Sequence, residues 1–197
     1  MNNIHADMIL DAKGLSCPMP IVRTKKAMKD LEAGKVLEVQ ATDKGSKADM
    51  KAWAESAGHD YLGTLEDGHV LKHYLRKSSD DEMAEKKYPH VVRNEELKRK
   101  IESNENIVVV DVREAAEFTF NHIPGAISIP LSELDDGVNE FRKDQEIFVV
   151  CRTGNRSSLA AQKLKEKGFD KVFNVIPGMS EWDGKTEGIH QEGGRTS

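Results

Sequence analysis

The stretch VVCRTGNRSS, residues 149–158, sets Cys151 at the end of an apolar run and follows it with Arg152, Thr153, Gly154, Asn155, Arg156 and Ser157. A cysteine is a strong nucleophile only as the thiolate. At its ordinary pKa near 8.5 a thiol is about 3% ionised at neutral pH, and a pKa near 7 makes it about half ionised. The neighbours of Cys151 all favour the anion. Backbone N–H groups of a loop entering a helix converge on one spot, a glycine lets the chain curl, and two arginines add positive charge. Such a thiolate can attack a carbonyl, a phosphate ester or a sulfur atom. A plainer reading is a cysteine that merely ends a core strand, since free cysteine is among the most buried residue types. That reading leaves the Gly-Asn turn, the two arginines and the serine-led helix unexplained.

The other cysteine lies in GLSCPMPI, residues 14–21. Pro18 suits the first turn of a helix, where its missing N–H costs nothing. Cys17 is therefore expected at or near the N-cap, with the positive end of the helix dipole lowering its pKa. Cys-Pro-x-Pro with Pro18 and Pro20 is a weak signal by itself, and an incidental cysteine at a helix start reads equally well. Cys17 and Cys151 are too few for a disulfide framework. Neither lies near CxxC or HxxxH spacing, so no zinc site, other metal or cofactor is expected.

These residues need elements to hold them. In the first half, MILDAKG reads as a short strand turning at Gly14. A helix follows over PMPIVRTKKAMKDLEAG, with Ile21, Val22, Ala27, Met28 and Leu31 on one face and an end at Gly34. KVLEVQAT alternates as a strand. Ser46 with Asp49 is expected to cap a second helix through Ala57, closed by Gly58. Asp67-Gly68 between two alternating runs signals a hairpin.

The second half alternates helix and strand. NEELKRKIES is helical, and NIVVVDVRE, QEIFVVC and DKVFNVI are buried strands. SSLAAQKLKEKG is an amphipathic helix with Ser157 or Ser158 as its cap. Unbroken apolar strands separated by helices imply a parallel sheet covered on both faces. Cys151 then sits at the carboxyl end of a strand, where such sheets form their sites. Between the halves runs KSSDDEMAEKKYPH, polar and aperiodic. The expected organisation is an α/β domain at 1–77, a linker at 78–87 and a second α/β domain at 88–197 that ends in a polar tail.

The net charge of −5 is carried entirely by the second half. Residues 1–80 hold 12 acidic and 12 basic side chains, and residues 81–197 hold 22 and 17. A weakly acidic chain argues against direct nucleic-acid binding, which depends on neutralising phosphates, although RTKKAMK at 23–29 is locally basic. Apolar runs such as IVVV are too short to span a membrane. The N-terminus lacks a basic segment leading into a long apolar one, so no secretory signal is expected and the expected location is the cytoplasm.

CRTGNRS resembles the active-site loop of rhodanese-type sulfurtransferases, and DVREAAEF, NHIPGAISIP and IPGMSEW resemble that family's other landmarks in order, over about residues 88–187. The resemblance implies that Cys151 takes a sulfane sulfur from thiosulfate or a persulfide, holds it as a persulfide and passes it on. Residues 152–157 would form the cradle and bind substrate. Asp111 and Arg113 of the DVR element would serve as scaffolding. Asn121 departs from the family, which commonly has glycine there. A cysteine phosphatase is the competing chemistry. It places five residues between cysteine and arginine, where this chain has four, and its customary preceding histidine is Val150 here.

LDAKGLSCPMPIVRTKKAM is similar to TusA/SirA-like sulfur carriers over about residues 8–77. This implies two helices on a four-stranded sheet and an exposed Cys17 able to carry a persulfide. Asp43 matches an acidic position of that family, and Lys44 stands where some members have proline. Arg23, Lys25, Lys26 and Lys29 are then a docking face for a partner or simply a solvated helix surface. The partners implied are a small sulfur donor and a thiol or sulfur-acceptor protein. The expected function is a sulfur relay between the two cysteines; the alternative is a carrier or reactive-sulfur sensor with little turnover.

Overall fold

The computed structural model describes residues 4–79 and 88–189. The chain divides into two compact units, Met1–Asp81 and Glu82–Ser197, each with its own sheet. Most of the expected linker, and the end of the polar tail from residue 190, lie outside the described residues.

In the first unit the order is β1 (Met8–Asp11), α1 (Met19–Asp30), β2 (Val36–Ala41), α2 (Ser46–Ser56), β3 (Asp60–Asp67) and β4 (Val70–Arg76). The strands lie in the order β1-β2-β4-β3, with β1 parallel to β2 and the other pairs antiparallel. Leu37 pairs with Leu75 across β2 and β4. Together with Val39 on the same face they pack on Met28 of α1 and Met50 and Ala54 of α2, because alternate strand residues share a face. The result is two helices on a four-stranded sheet. The hairpin closes over Gly68, at φ 62°, with Asp67 opposite Val70.

Two local expectations are corrected. The buried stripe of α1 is Pro20, Thr24 and Met28, and Val22 points outward at 52% exposure. Thr24 can occupy the core because its hydroxyl donates to the Pro20 carbonyl at 2.8 Å, so burial leaves no polar group unsatisfied. Ser46 is the first residue of α2 and does not cap it. Its Oγ donates to the Asp43 carbonyl at 2.5 Å and also lies 2.9 Å from His73 Nε2.

The second unit runs β5 (Val91–Arg93), α3 (Asn94–Glu102), β6 (Ile107–Asp111), α4 (Ala115–Phe120), β7 (Ile127–Ser128), α5 (Leu134–Gly137), β8 (Glu146–Val150), α6 (Asn155–Glu166) and β9 (Lys171–Ile176). The sheet order is β5-β9-β8-β6-β7, parallel throughout. β8 is central, and its alternate residues feed two cores. Ile147 and Val149 join Ala160, Ala161 and Leu164 of α6 on one face. Phe148 and Val150 join Leu97 of α3 and Met179 on the other. Ile147, Phe148 and Val149 are fully buried, each contributing about 1.5–3 kcal/mol of transfer free energy. The strand that leads into Cys151 is thus packed on both faces. β5 and β7, at three and two residues, are too short to show periodicity and were not expected. Among the described residues, no helix is long and apolar enough to cross a membrane.

Candidate functional site

Cys151 follows β8 directly and is 1% exposed. The chain then turns through Arg152 and Thr153 to Gly154, which N-caps α6 at φ +100°. L side chains rarely adopt that backbone. A Cβ on Gly154 would also stand 2.6 Å from Ile176 Cγ2. The tight turn brings the Gly154 N–H to 3.1 Å from Cys151 Sγ, to which it donates. The positive end of α6 thereby faces the sulfur.

Neither serine caps α6, contrary to expectation, because Gly154 holds that place three residues before Ser157. Ser157 lies inside the first turn, with its Oγ 3.2 Å from Cys151 Sγ. It donates to Asn174 Oδ1 at 2.6 Å, and Asn174 Nδ2 donates back to the Gly154 carbonyl at 3.1 Å. Ser158 instead accepts from the Tyr88 N–H at 2.8 Å. Asn174, on β9 opposite Val149, is a buried polar residue that sequence reasoning missed. Its only signal was an asparagine within an apolar strand.

The far side of the loop is braced by the segment after β9. Met179 and Ser180 N–H groups donate to the Cys151 and Arg152 carbonyls, both at 2.9 Å. Gly178 lies so close that a Cβ there would meet the Cys151 oxygen at 2.3 Å. Asn94 fixes Gly178 through both sides of its peptide unit, donating to its carbonyl at 2.9 Å and accepting from its N–H at 3.2 Å.

Of the two arginines expected to supply charge, Arg156 turns inward. Its guanidinium forms a two-pronged pair with Glu117 at 2.7 and 2.9 Å, and both residues are buried. Glu117 also accepts from the Glu114 N–H at 2.9 Å in the capping box of α4, so one carboxylate ties the start of α4 to the start of α6. The side chains left nearer solvent are the half-buried Arg152 and the exposed Thr153 and Asn155. Arg113 wraps Asp111 with contacts of 2.6–3.0 Å and donates to the Asn121 carbonyl at 2.7 Å. This joins the end of β6 to the end of α4. Asn121 itself has extended backbone, at φ −158°, so no glycine is needed there.

Cys17, in the first unit, is exposed. It precedes Pro18, which is the N-cap of α1, and Pro20 takes the second helical position. A shallow pocket of about 450 Å³ opens beside it, lined by Gly14, Leu15, Ser16, Thr42 and Asp43. The expected lowering of its pKa is corrected. Hydrogen bonding to the Asp49 carboxylate raises it, reinforced by desolvation and by the charges of Asp49 and Asp43. A hydrogen bond from the thiol to a carboxylate stabilises the protonated form, and the two nearby negative charges disfavour the thiolate. Around the cysteine α1 shows Met19 and Val22, with Arg23, Lys25, Lys26 and Lys29 also exposed.

Comparison with known proteins finds two family models, one on each unit. The rhodanese-like domain matches residues 93–185 and sulfurtransferase TusA matches residues 8–77. YrkF of Bacillus subtilis, whose name proposes a sulfur carrier protein, is 50% identical over 93% of this chain and 100% of its own length. The sulfur carrier protein TusA of Allochromatium vinosum is 42% identical over 36% of this chain and 95% of its own. Among solved structures, a rhodanese-like domain protein from Staphylococcus aureus aligns at 30% identity and TM-score 0.48, over 51% of this chain and 99% of that one.

Proposed function

The chain belongs to the sulfur-carrier family that joins a TusA domain to a rhodanese-like domain, and on that premise we propose that it is a two-cysteine sulfurtransferase. Cys151 is the entry point. Its thiolate attacks the sulfane sulfur of thiosulfate, forming the Cys151 persulfide and releasing sulfite with the bonding pair. With a low-molecular-weight or protein persulfide as donor, the leaving group is the donor's thiolate. Arg152 and the N–H groups of residues 152–157 bind the anionic donor, and Arg156 holds the loop through Glu117. Asp111 and Arg113 hold the end of β6 to the end of α4 beside it.

In the second step the Cys17 thiolate attacks the outer sulfur of the Cys151 persulfide. The S–S bond to Cys151 breaks, Cys151 leaves as thiolate, and Cys17 carries the persulfide to an outside thiol or acceptor protein. Residues 1–77 are the carrier, 88–197 the loading domain and 78–87 the link. Tethering holds two such sites at roughly millimolar effective concentration. Pro18 and Pro20 set the start of α1, and its exposed basic residues form the docking face for the acceptor. The reaction belongs in the cytoplasm, where both thiols stay reduced.

The single observation that carries this reading is the Gly154 N–H aimed at Cys151 Sγ from the start of α6, a short cradle sized for sulfur. The test is sulfite release from thiosulfate in the presence of a small thiol acceptor. Wild type and Cys17→Ser release sulfite repeatedly, and Cys151→Ser releases none. Release of a single equivalent by wild type, without turnover, would favour a carrier or sensor instead.

A further inference from the structure

Around Cys151 the hydrogen bonds close into a ring. Gly154 N–H donates to Cys151 Sγ, and Asn174 Nδ2–H donates to the Gly154 carbonyl. A carbonyl only accepts, so this second bond fixes which way the amide points. Asn174 Oδ1 must then face Ser157, and it takes the one hydroxyl proton of Ser157 at 2.6 Å. That leaves the 3.2 Å contact between Ser157 Oγ and Cys151 Sγ with a single possible donor, the thiol hydrogen itself. The ring as it stands is complete for a neutral thiol.

Ionisation breaks it. When Cys151 loses its proton to solvent, two lone-pair atoms meet at 3.2 Å unless the Ser157 hydroxyl turns from Asn174 to the sulfur. We infer that the Ser157 hydroxyl is a two-position donor, held on Asn174 Oδ1 when Cys151 is neutral and turned onto its sulfur when Cys151 is anionic. Asn174 is the positioning residue. By competing for the hydroxyl proton it restrains the thiolate, and by holding Gly154 it keeps the second donor aimed. The site thereby carries a donor ready for the anion that attacks the donor sulfur and leaves in the second step. The inference rests on Cys151 being the nucleophile proposed above.

The charged and titratable groups on the elements packed around the ring are Arg152 and Arg156 on the loop and α6, Glu117 on α4, and Asp111 and Arg113 at the end of β6. His90 contributes its carbonyl to the Asn174 N–H at 2.9 Å. None of these is altered in the test, so a change in ionisation reports on the ring alone.

The thiolate fraction of Cys151 is followed by its far-ultraviolet absorbance against pH, in the full chain carrying Cys17→Ser. Ser157→Ala removes the donor to the anion, and the thiolate fraction at neutral pH falls several-fold. Asn174→Ala frees the hydroxyl for the sulfur, and the fraction rises. Asn174→Asp holds the hydroxyl more strongly and adds negative charge, and the fraction falls. In the Ser157→Ala background, Asn174→Ala produces no rise, because the rise comes only from the freed Ser157 hydroxyl. A purely structural role moves the two alanine variants in the same direction. That result, or a rise on Asn174→Ala that persists without Ser157, overturns the inference. Because the readout is ionisation and not sulfur transfer, failure of the proposed function is seen separately, as a chain that ionises in this pattern yet releases no sulfite.

Discussion

At the scale of single residues, the two cysteines occupy opposite settings. Cys151 is buried at a helix start with the Gly154 N–H donating to its sulfur, while Cys17 is exposed beside Asp49 and Asp43. The carboxylates hold Cys17 protonated more than a free thiol would be. Asp49→Asn therefore increases its thiolate fraction, and alkylation of Cys17 at neutral pH accelerates several-fold with no effect on Cys151; rates by mass spectrometry check this. Glu117 carries a different burden. Glu117→Ala removes the two-pronged carboxylate partner of the buried Arg156 guanidinium and is expected to cost about 3–5 kcal/mol, a large share of the roughly 5–15 kcal/mol that stabilises a domain. Urea unfolding of the second unit's tryptophan signal, from Trp182, measures the loss. Cys151 and its loop were legible in the sequence because glycine, arginine and cysteine lie within six positions of one another. Glu117 and Asn174 were not, since each meets its partner only after a helix or strand has intervened, 39 and 17 positions away. The raised Cys17 pKa is not legible in sequence for the same reason: Asp49 comes from a different helix, and only the dipole of α1 is visible locally.

At the scale of elements, the loop depends on what α6 and β9 allow. Gly154 combines a left-handed backbone with a Cβ position already filled by Ile176. Gly154→Ala is expected to cost about 1–3 kcal/mol in strain and to slow loading of Cys151, while far-ultraviolet circular dichroism stays native. Retention of wild-type loading would show that the turn does not set the geometry. In the first unit α2 is locked to the sheet by His73, which is fully buried between Ser46 Oγ at 2.9 Å and Thr64 Oγ1 at 2.8 Å. Burial, with a smaller contribution from Lys47, lowers its pKa to about 4. The unfolded chain takes up a proton below about 6.5, and the folded one refuses it until about 4. Stability present at neutral pH is therefore lost as pH falls across that window, by up to roughly 3 kcal/mol. Urea midpoints at successive pH values show the decline, and His73→Gln flattens it. Long periodic elements were readable from sequence. Helix starts were less so, because the Ser46 and Ser157 hydroxyls found better partners in His73 and Asn174, and the capping places went to Gly45 and Gly154.

At the scale of the whole molecule, two folds with unrelated sheets each present one cysteine, and the proposed relay gives them complementary work. The enclosed cysteine, with its donors and nearby arginine, is suited to taking sulfur from an anion. The exposed one, on a unit with a basic helix face, is suited to delivering it by contact. The sequence suggests such a division, because the acidic excess begins at the polar joint and one cysteine motif lies on each side of it. The most direct test is intact-protein mass spectrometry with peptide mapping after exposure to thiosulfate, and separately to glutathione persulfide, on wild type, Cys17→Ser and Cys151→Ser. The account predicts that one sulfur atom is gained on Cys151 in wild type and in Cys17→Ser, that it reaches Cys17 in wild type, and that Cys151→Ser gains none on Cys17. Direct loading of Cys17 in the Cys151→Ser chain at the wild-type rate would contradict the relay and leave two carriers that share one polypeptide.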